Sequence, residues 1–250
     1  MPDTVVNSKI KCIESLISMV HVEGGTFMMG AKSENVDYKN ELPAHMVTVD
    51  SYFISKYLIT QELYEMVMGV NPSFCVGATL PVEQVSWYDA VEFCKKLSQL
   101  TGKNYLLPTE AQWEFAAIGG NGSKGYLYCG SDHIGDVAWF GQAHGNTYDD
   151  GNSGEHPHPV GTKAPNELGL YDMSGNVWEW CRDWYSDYSE ASLINPAGSS
   201  DGNTKIMRGG SWASSARSCR VTNRLEYDPS KHNNKRGFRI VLEYNKSNKL

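Results

Sequence analysis

Along residues 46–54 the sequence MVTVDSYFI alternates apolar and polar positions, the two-residue period of a strand with one face buried. The apolar run GGTFMMG at 24–30 predicts a second strand. The period then lengthens. Trp87, Val91, Cys94, Leu97 and Leu100 recur at the three-to-four spacing of a helix face, and Ser86 ahead of them has the side-chain oxygen that caps a helix N-terminus, which predicts a helix over Trp87–Thr101. Thr60 stands in the same relation to a helix over Gln61–Met68, with Glu62 in its first turn. Thr109 begins a third helix over 110–118, where Gln112 is placed to complete a capping box. Short helices packed on small antiparallel sheets make the fold class α+β.

Between 119 and 168 the periodicity fails and Gly, Asn, Asp and His dominate. A structureless stretch of about 50 residues is unusual in a compact domain and calls for a functional reason. No repeat, low-complexity tract or Pro/Ser-rich linker interrupts the chain. The domain organisation expected is an N-terminal extension over 1–18 and a single domain over 19–250.

Composition narrows the partners. A chain of 250 residues with 40% hydrophobic and 11% aromatic content can fill one sizeable core. A formal net charge of −7 with scattered Lys and Arg has no electrostatic footprint for nucleic acid or an anionic membrane. No apolar run approaches the roughly 18 residues of a membrane span. Six cysteines (Cys12, Cys75, Cys94, Cys129, Cys181, Cys219) lie far apart with no C-x-x-C pair, so neither a zinc site nor a disulfide scaffold is indicated. The N-terminal residues MPDTVVNSKIKC have no signal-peptide pattern and Cys12 sits in no lipoprotein box. Two alternatives stand: a cytosolic protein, or an exported one whose signal lies outside this sequence.

The C-terminal fifth is unlike the rest. It opens on Arg208-Gly209-Gly210-Ser211-Trp212, closes on Gly237-Phe238-Arg239, and holds Arg217, Cys219, Arg220, Arg224 and Pro229 among small, polar and aromatic residues without period. Upstream stand GGTFMMG, PVEQVSW at 81–87, LPTEAQWE at 107–114, HPVG at 158–161 and GLYDMSGNVWEW at 169–180. In this order the six motifs resemble the formylglycine-generating enzyme (sulfatase-modifying factor) family, which implies a C-type-lectin-like fold.

The resemblance implies several chemistries. In Asp172-Met173-Ser174-Gly175-Asn176-Val177-Trp178-Glu179 it implies a calcium site, with side-chain oxygens from Asp172 and Glu179 and carbonyls from Gly175 and Val177; the alternative is a turn whose carboxylates cap backbone amides. The family's other calcium site has no clear counterpart in 138–154, where Asp149, Asp150 and Asn152 are the available oxygens. His156 and His158 with Glu155 are too few for a transition-metal site and read as surface histidines. Family enzymes hold Cu(I) with two cysteines in the C-terminal segment. The second corresponds to Cys219, but the first corresponds to Ser214, whose hydroxyl is too hard a ligand for that ion. Trp178 and Ser211 match the enzymes' oxygen-side residues, but they also belong to the shared frame. The iron-binding His-x3-His-x-Glu of the sulfoxide-synthase branch has no match.

A different branch fits better. The segment resembles the variable region of the diversity-generating-retroelement proteins, bacterial variable proteins such as the treponemal ones, in which Asn codons of a template are miscopied at adenines. Errors at the two adenines of AAT or AAC reach every amino acid except Lys, Glu, Gln, Met and Trp. Ala213, Ser214, Ser215, Ser218, Leu225, Tyr227, Asp228, Ser230, His232, Asn233 and Asn234 all lie in the reachable set; Glu226, Lys231 and Lys235 do not. Gly209, Gly210, Trp212, Cys219 and Phe238 are positioned to anchor the segment, with Arg208, Arg217, Arg220, Arg224 and Arg239 tying irregular backbone through several donors each.

The function expected is non-catalytic ligand binding by a variable surface within 211–239, with Tyr227 its aromatic hot spot, a protein or glycan as partner, and no required cofactor. Display on the cell surface through a removed lipoprotein signal follows from the resemblance alone. Two alternatives remain: a copper-dependent formylglycine-generating or related thiol oxidase pairing Cys219 with Cys181 or Cys94, and a structural module of a surface assembly.

Overall fold

The computed structural model describes residues 2–31, 39–141 and 151–243, with side chains from residue 8 onward. The three capped helices form where the local signals put them. Thr60 accepts from the Leu63 amide ahead of α2 (Gln61–Met68), and Ser86 and Thr109 make reciprocal capping boxes with Asp89 and Gln112 ahead of α3 (Trp87–Thr101) and α4 (Glu110–Ala117). Gly69 and Gly102, both left-handed, close α2 and α3. Two further helices are present, α1 (Pro2–Leu16) and the single turn α5 (Ile134–Val137). The first alters the reading of 1–18 as a bare extension, because Ile13 is fully buried among Leu63, Phe93 and Leu97.

The strands sort into three small sheets rather than one. β1 (Met19–Val22), β4 (Tyr52–Ser55), β5 (Tyr105–Leu106) and β11 (Val241–Glu243) make an antiparallel sheet in the order β1-β4-β11-β5. The last strand thus pairs with one of the first, joining the ends of the domain. β2 (Gly25–Met29) and β3 (His45–Val49) form a hairpin extended in parallel by β7 (Leu193–Ile194). The predicted strand over 46–54 is therefore two strands in two sheets, divided at Asp50-Ser51.

The remaining sheet carries the C-terminal segment. Its order is β10-β6-β8-β9, built from β6 (Trp178–Trp184), β8 (Lys205–Arg208), β9 (Arg224–Tyr227) and β10 (Arg236–Gly237), with only the β10–β6 pair parallel. One core lies under α2 and α3 and takes in Phe238 and Ile240; a second surrounds Trp113, Phe115, Met173 and Ile206. Residues 211–239 supply two of this sheet's strands, β9 and β10, and are buried at both ends, at Ser211 and Arg239.

Candidate functional site

The segment is held from below by buried ion pairs. Arg224 forks onto Glu110 through Nε and Nη2 at 2.7 and 2.9 Å, and gives further bonds to the Asn40 and Ser186 carbonyls. Arg208 pairs with Glu114, stands 3.7 Å from Glu110, and donates to the carbonyls of Val221, Thr222 and Asn223. Arg220 grips Glu41 and the Arg217 carbonyl. Arg239 pairs with Glu179 at 2.6 Å and donates to the Ser55 and Tyr171 carbonyls. Four of the five expected arginines therefore tie irregular backbone as read; Arg217 is exposed.

Their acid partners were not singled out beforehand, although Glu110 and Glu114 lie one turn apart in LPTEAQWE, a spacing that puts both on one face of α4. Burial alone would hold these carboxyls protonated. At Glu110 the facing Arg224 and Arg208 outweigh that burial and hold its carboxyl below the usual range. At Glu114 burial outweighs Arg208 and the shift is upward. Burial opposes the charge on Arg208 and Arg224, but the carboxylates more than restore it, so both titrate above the ordinary arginine range.

Above the ion pairs the backbone turns sharply. Gly210 has φ +78, and a Cβ there would lie 2.6 Å from Cys219 Sγ, so the loop packs on the buried thiol only with glycine at that position. Ser214 faces inward: its Oγ accepts the Ser211 amide at 3.0 Å and lies 2.9 Å from Ser211 Oγ. Trp212 Nε1 donates to the Asn234 carbonyl at 2.8 Å, which couples loop 211–223 to loop 228–235. The second loop is pinned in turn, because the Pro229 and Asn233 carbonyls accept the Trp87 and Gln84 amides of the PVEQVSW motif.

The expected variable side chains fall on two adjoining loops and the strand between them. Asp228, Ser230 and His232 are exposed; Ala213, Ser214, Ser215, Ser218, Asn233 and Asn234 are half-buried. Leu225 and Tyr227 are half-buried on edge strand β9 and pack on the first core. The Tyr227 ring is covered on one face by the Arg236 guanidinium, 3.4 Å from its centroid. It is therefore a partly covered contact rather than a projecting one.

The loop at 172–179 is built around two buried carboxyls, Asp172 and Glu179. Asp172, in a left-handed turn, accepts the Gly161 backbone amide on one oxygen and the Asn176 side-chain amide on the other, and Glu179 Oε2 is taken by Arg239. Burial raises both carboxyls, and the cation beside Glu179 is a guanidinium. Three of the four carboxylate oxygens of Asp172 and Glu179 thus meet protein donors, and Glu179 Oε1 is buried without one. Asp149 and Asp150 lie outside the described residues, and Asn152 bonds the Phe140 amide and Ala138 carbonyl.

His158 stacks on Trp139 with centroids 3.7 Å apart and donates from Nε2 to the Ser153 carbonyl at 2.7 Å. Among the described residues no group of three His, Cys, Asp or Glu could hold a metal. Cys94, Cys181 and Cys219 lie in three separate core clusters, so neither thiol expected to complete a copper pair stands with Cys219. The Cys129 backbone amide donates to the Ser174 hydroxyl at 3.1 Å, which donates in turn to the Cys219 carbonyl at 2.8 Å. Burial pushes the thiols of Cys94, Cys129 and Cys181 well up, away from the thiolate a copper site needs.

The sulfatase-modifying factor enzyme 1-like domain matches residues 6–244, and the chain belongs to that family. Among solved structures it is similar to Treponema denticola variable protein 1, at 31% identity with a TM-score of 0.81, covering 91% of this chain and 95% of that one. Among curated proteins it is 33% identical to chaperone protein LppX of Paenibacillus barcinonensis, over 89% of this chain and 88% of that protein. It is 26% identical to the formylglycine-generating enzyme of Mus musculus, over 92% and 76%. It spans only 38% of the length of serine/threonine-protein kinase pkn1 of Chlamydia pneumoniae, to which it is 32% identical. No helix among the described residues is long and apolar enough to cross a membrane.

Proposed function

We propose that this protein is a non-catalytic receptor-type binder whose recognition surface is the set Ala213, Ser214, Ser215, Ser218, Leu225, Tyr227, Asp228, Ser230, His232, Asn233 and Asn234, diversified by a retroelement and displayed at the cell surface. The observation that carries the reading is the division of labour within one segment. Buried guanidinium–carboxylate pairs hold its backbone, while the eleven side chains named are exposed or half-buried and mostly small or polar. Surface changes away from caps and cores usually cost within about 0.5 kcal/mol, so such positions are open to change without loss of the fold. The similarity to a treponemal variable protein over nearly the full length of both chains supports it. The ligand is a protein or a glycan; the fold does not decide between them.

The thiol-oxidase reading rests on similarity to formylglycine-generating enzymes. It would need a second thiolate beside Cys219, where this chain has Ser214 hydrogen-bonded to Ser211.

The test is genetic and then biochemical. DNA downstream of the gene should carry a near-copy of the segment encoding 211–239, with adenines at the mismatched positions and a reverse transcriptase beside it. A library randomised at Ser215, Ser218, Ser230, His232 and Asn234 should remain largely folded and yield binders to unrelated proteins. Absence of any such copy, together with copper-dependent thiol oxidation lost on Cys219→Ser, would overturn the proposal.

A further inference from the structure

A cavity of about 400 Å³, the size of a small-molecule site, lies where the start of α4 meets the ends of β2 and β6 and the first residue of β3. Its floor is buried, with His45 and Arg224 3% exposed and Glu110 and Asp183 4%. Ser186, Asp187 and Ser189 are exposed at its rim, so the cavity opens to solvent. None of the side chains expected to vary lines it.

Two of the four floor side chains spend their polar atoms within the protein. Arg224 forks onto Glu110, and its remaining bonds go to the Asn40 and Ser186 carbonyls. The other two do not. Asp183 Oδ2 accepts the Glu110 amide at 2.9 Å and His45 Nδ1 donates to the Pro43 carbonyl at 3.1 Å, but Asp183 Oδ1 and His45 Nε2 have no hydrogen-bond partner among the described residues, and neither atom is sealed from solvent. A carbonyl only accepts, so Nδ1 carries the ring proton and Nε2 of the neutral imidazole presents a lone pair. Two side chains more than nine-tenths buried therefore bring free acceptors to one cavity.

The lining is acidic. Asp183, Glu110 and Asp187 stand against one guanidinium, and Glu110 already holds it. A neighbouring ammonium is spent elsewhere: Lys205 donates to the Arg182 carbonyl at 2.8 Å and lies 3.7 and 4.1 Å from the Trp184 and Trp87 ring centroids. Burial and Glu110 raise Asp183 to about 7, more than Arg182 and Lys205 lower it, so the fold leaves this carboxyl short of a cation. Met29, Leu193 and Pro196 add apolar surface to the same cavity.

We propose that this cavity is a second binding site, separate from the variable surface, which takes a primary ammonium on an apolar stem, either a small free amine or a lysine side chain. An ammonium carries three donors, enough for both Asp183 Oδ1 and His45 Nε2, and its charge is the one the lining lacks. A carboxylate ligand would meet like charge, and a neutral one would leave Asp183 unmatched. The site stands whether or not the C-terminal segment varies.

The experiment is a titration of the full 15N-labelled chain at pH 8 with phenethylammonium, its neutral isostere 2-phenylethanol, phenylacetate and acetyl-Gly-Lys-Gly-amide, following the amides of Ala111, Asp183 and Gly198. Phenethylammonium should give saturable shifts there, with 2-phenylethanol and phenylacetate about tenfold weaker or worse. The tighter of phenethylammonium and the lysyl peptide names the source of the amine. Asp183→Asn removes a charge that burial opposes, so it should fold; it should cost phenethylammonium about tenfold and leave 2-phenylethanol unchanged. Absence of saturable shifts with both amines, or equal affinity for 2-phenylethanol, overturns the proposal without any variant, as does undiminished amine affinity in Asp183→Asn. Shifts confined to the amides of Ser215, Ser218 and Ser230 would overturn the cavity assignment and leave the binding reading standing.

Discussion

Replacing Glu110 by Gln removes one charge from beneath the segment while keeping the side chain's shape. Glu110 is the shared acid of two arginines, forked by Arg224 at 2.7 and 2.9 Å and 3.7 Å from Arg208, with its side chain 5% exposed. Gln can still offer one oxygen to Arg224, but its amide N–H groups face a guanidinium that cannot accept. Removing one partner of a buried pair costs about 3–5 kcal/mol, and in a domain of this size each kcal/mol moves Tm by about 2–4 °C, so the expected loss is about 6–20 °C. Against a total stability of about 5–15 kcal/mol that is severe. Replacing Ser215, Ser230 and His232 together by Ala should cost about 1.5 kcal/mol at most. Thermal melts by circular dichroism at pH 7, with urea titrations to confirm equal m-values, read both. Glu110→Gln with Arg224→Met should recover part of the loss, since both charges then leave together. Equal melting shifts for Glu110→Gln and the triple surface variant would refute the separation of frame from surface.

Burial raises Asp183 to about 7, so between its unfolded value of 3.8 and 7 the folded state binds a proton that the unfolded state releases, and stability falls as pH rises through that window. Asp183→Asn should therefore melt higher than the parent at pH 8, with the gap closing near pH 4; a gap independent of pH would remove burial as the cause. Gly210→Ala meets both a positive φ and Cys219 Sγ at 2.6 Å, whereas Gly69→Ala meets the positive φ with nothing within 4 Å, so the first should destabilise well beyond the second in parallel melts. Since Asp172 meets donors from Gly161 and Asn176 and Glu179 Oε2 meets Arg239, adding EGTA should leave Tm unchanged; a drop of several degrees restored by calcium would instead place the ion at Glu179 Oε1 and its neighbours.

What was legible in the sequence was local. The caps at Thr60, Ser86 and Thr109 mark helices to within a residue because the donors they satisfy lie within one turn. Helix α1 had a signal too, with Val6, Ile10 and Ile13 at helical spacing, masked by the polar residues around them. The three-sheet partition was not legible, because β11 pairs with β4 across most of the chain and nothing near either strand specifies the other. The arginines of the segment announced themselves by number, but Glu41 lies 179 residues from the Arg220 it pairs with. The covering of Tyr227 by Arg236 was hidden for the same reason. Composition allows an exposed tyrosine there, and only the return of the chain at β10 puts a guanidinium on its ring.

Buried ion pairs are weak sources of net stability, since hydrophobic replacements of similar volume often serve as well or better. Their use beneath this segment therefore needs another reason, and geometry supplies one. An apolar anchor fixes position through contact area and tolerates rotation, and it would need its neighbours on the segment to be apolar as well. A guanidinium fixes direction: Arg208 holds three successive carbonyls, Val221 to Asn223, and Arg224 ties Asn40 to Ser186, each from a side chain whose own orientation is set by a carboxylate on α4. None of those bonds uses a side chain of the residues they position. Thr222 and Asn223, outside the expected variable set, add side-chain bonds to Glu41, whereas Pro229, Asn233 and Asn234 are held by their carbonyls through Trp87, Gln84 and Trp212. A segment fastened by its main chain can exchange side chains while its path stays the same, which is the physical requirement for a surface that changes its contents on a constant frame.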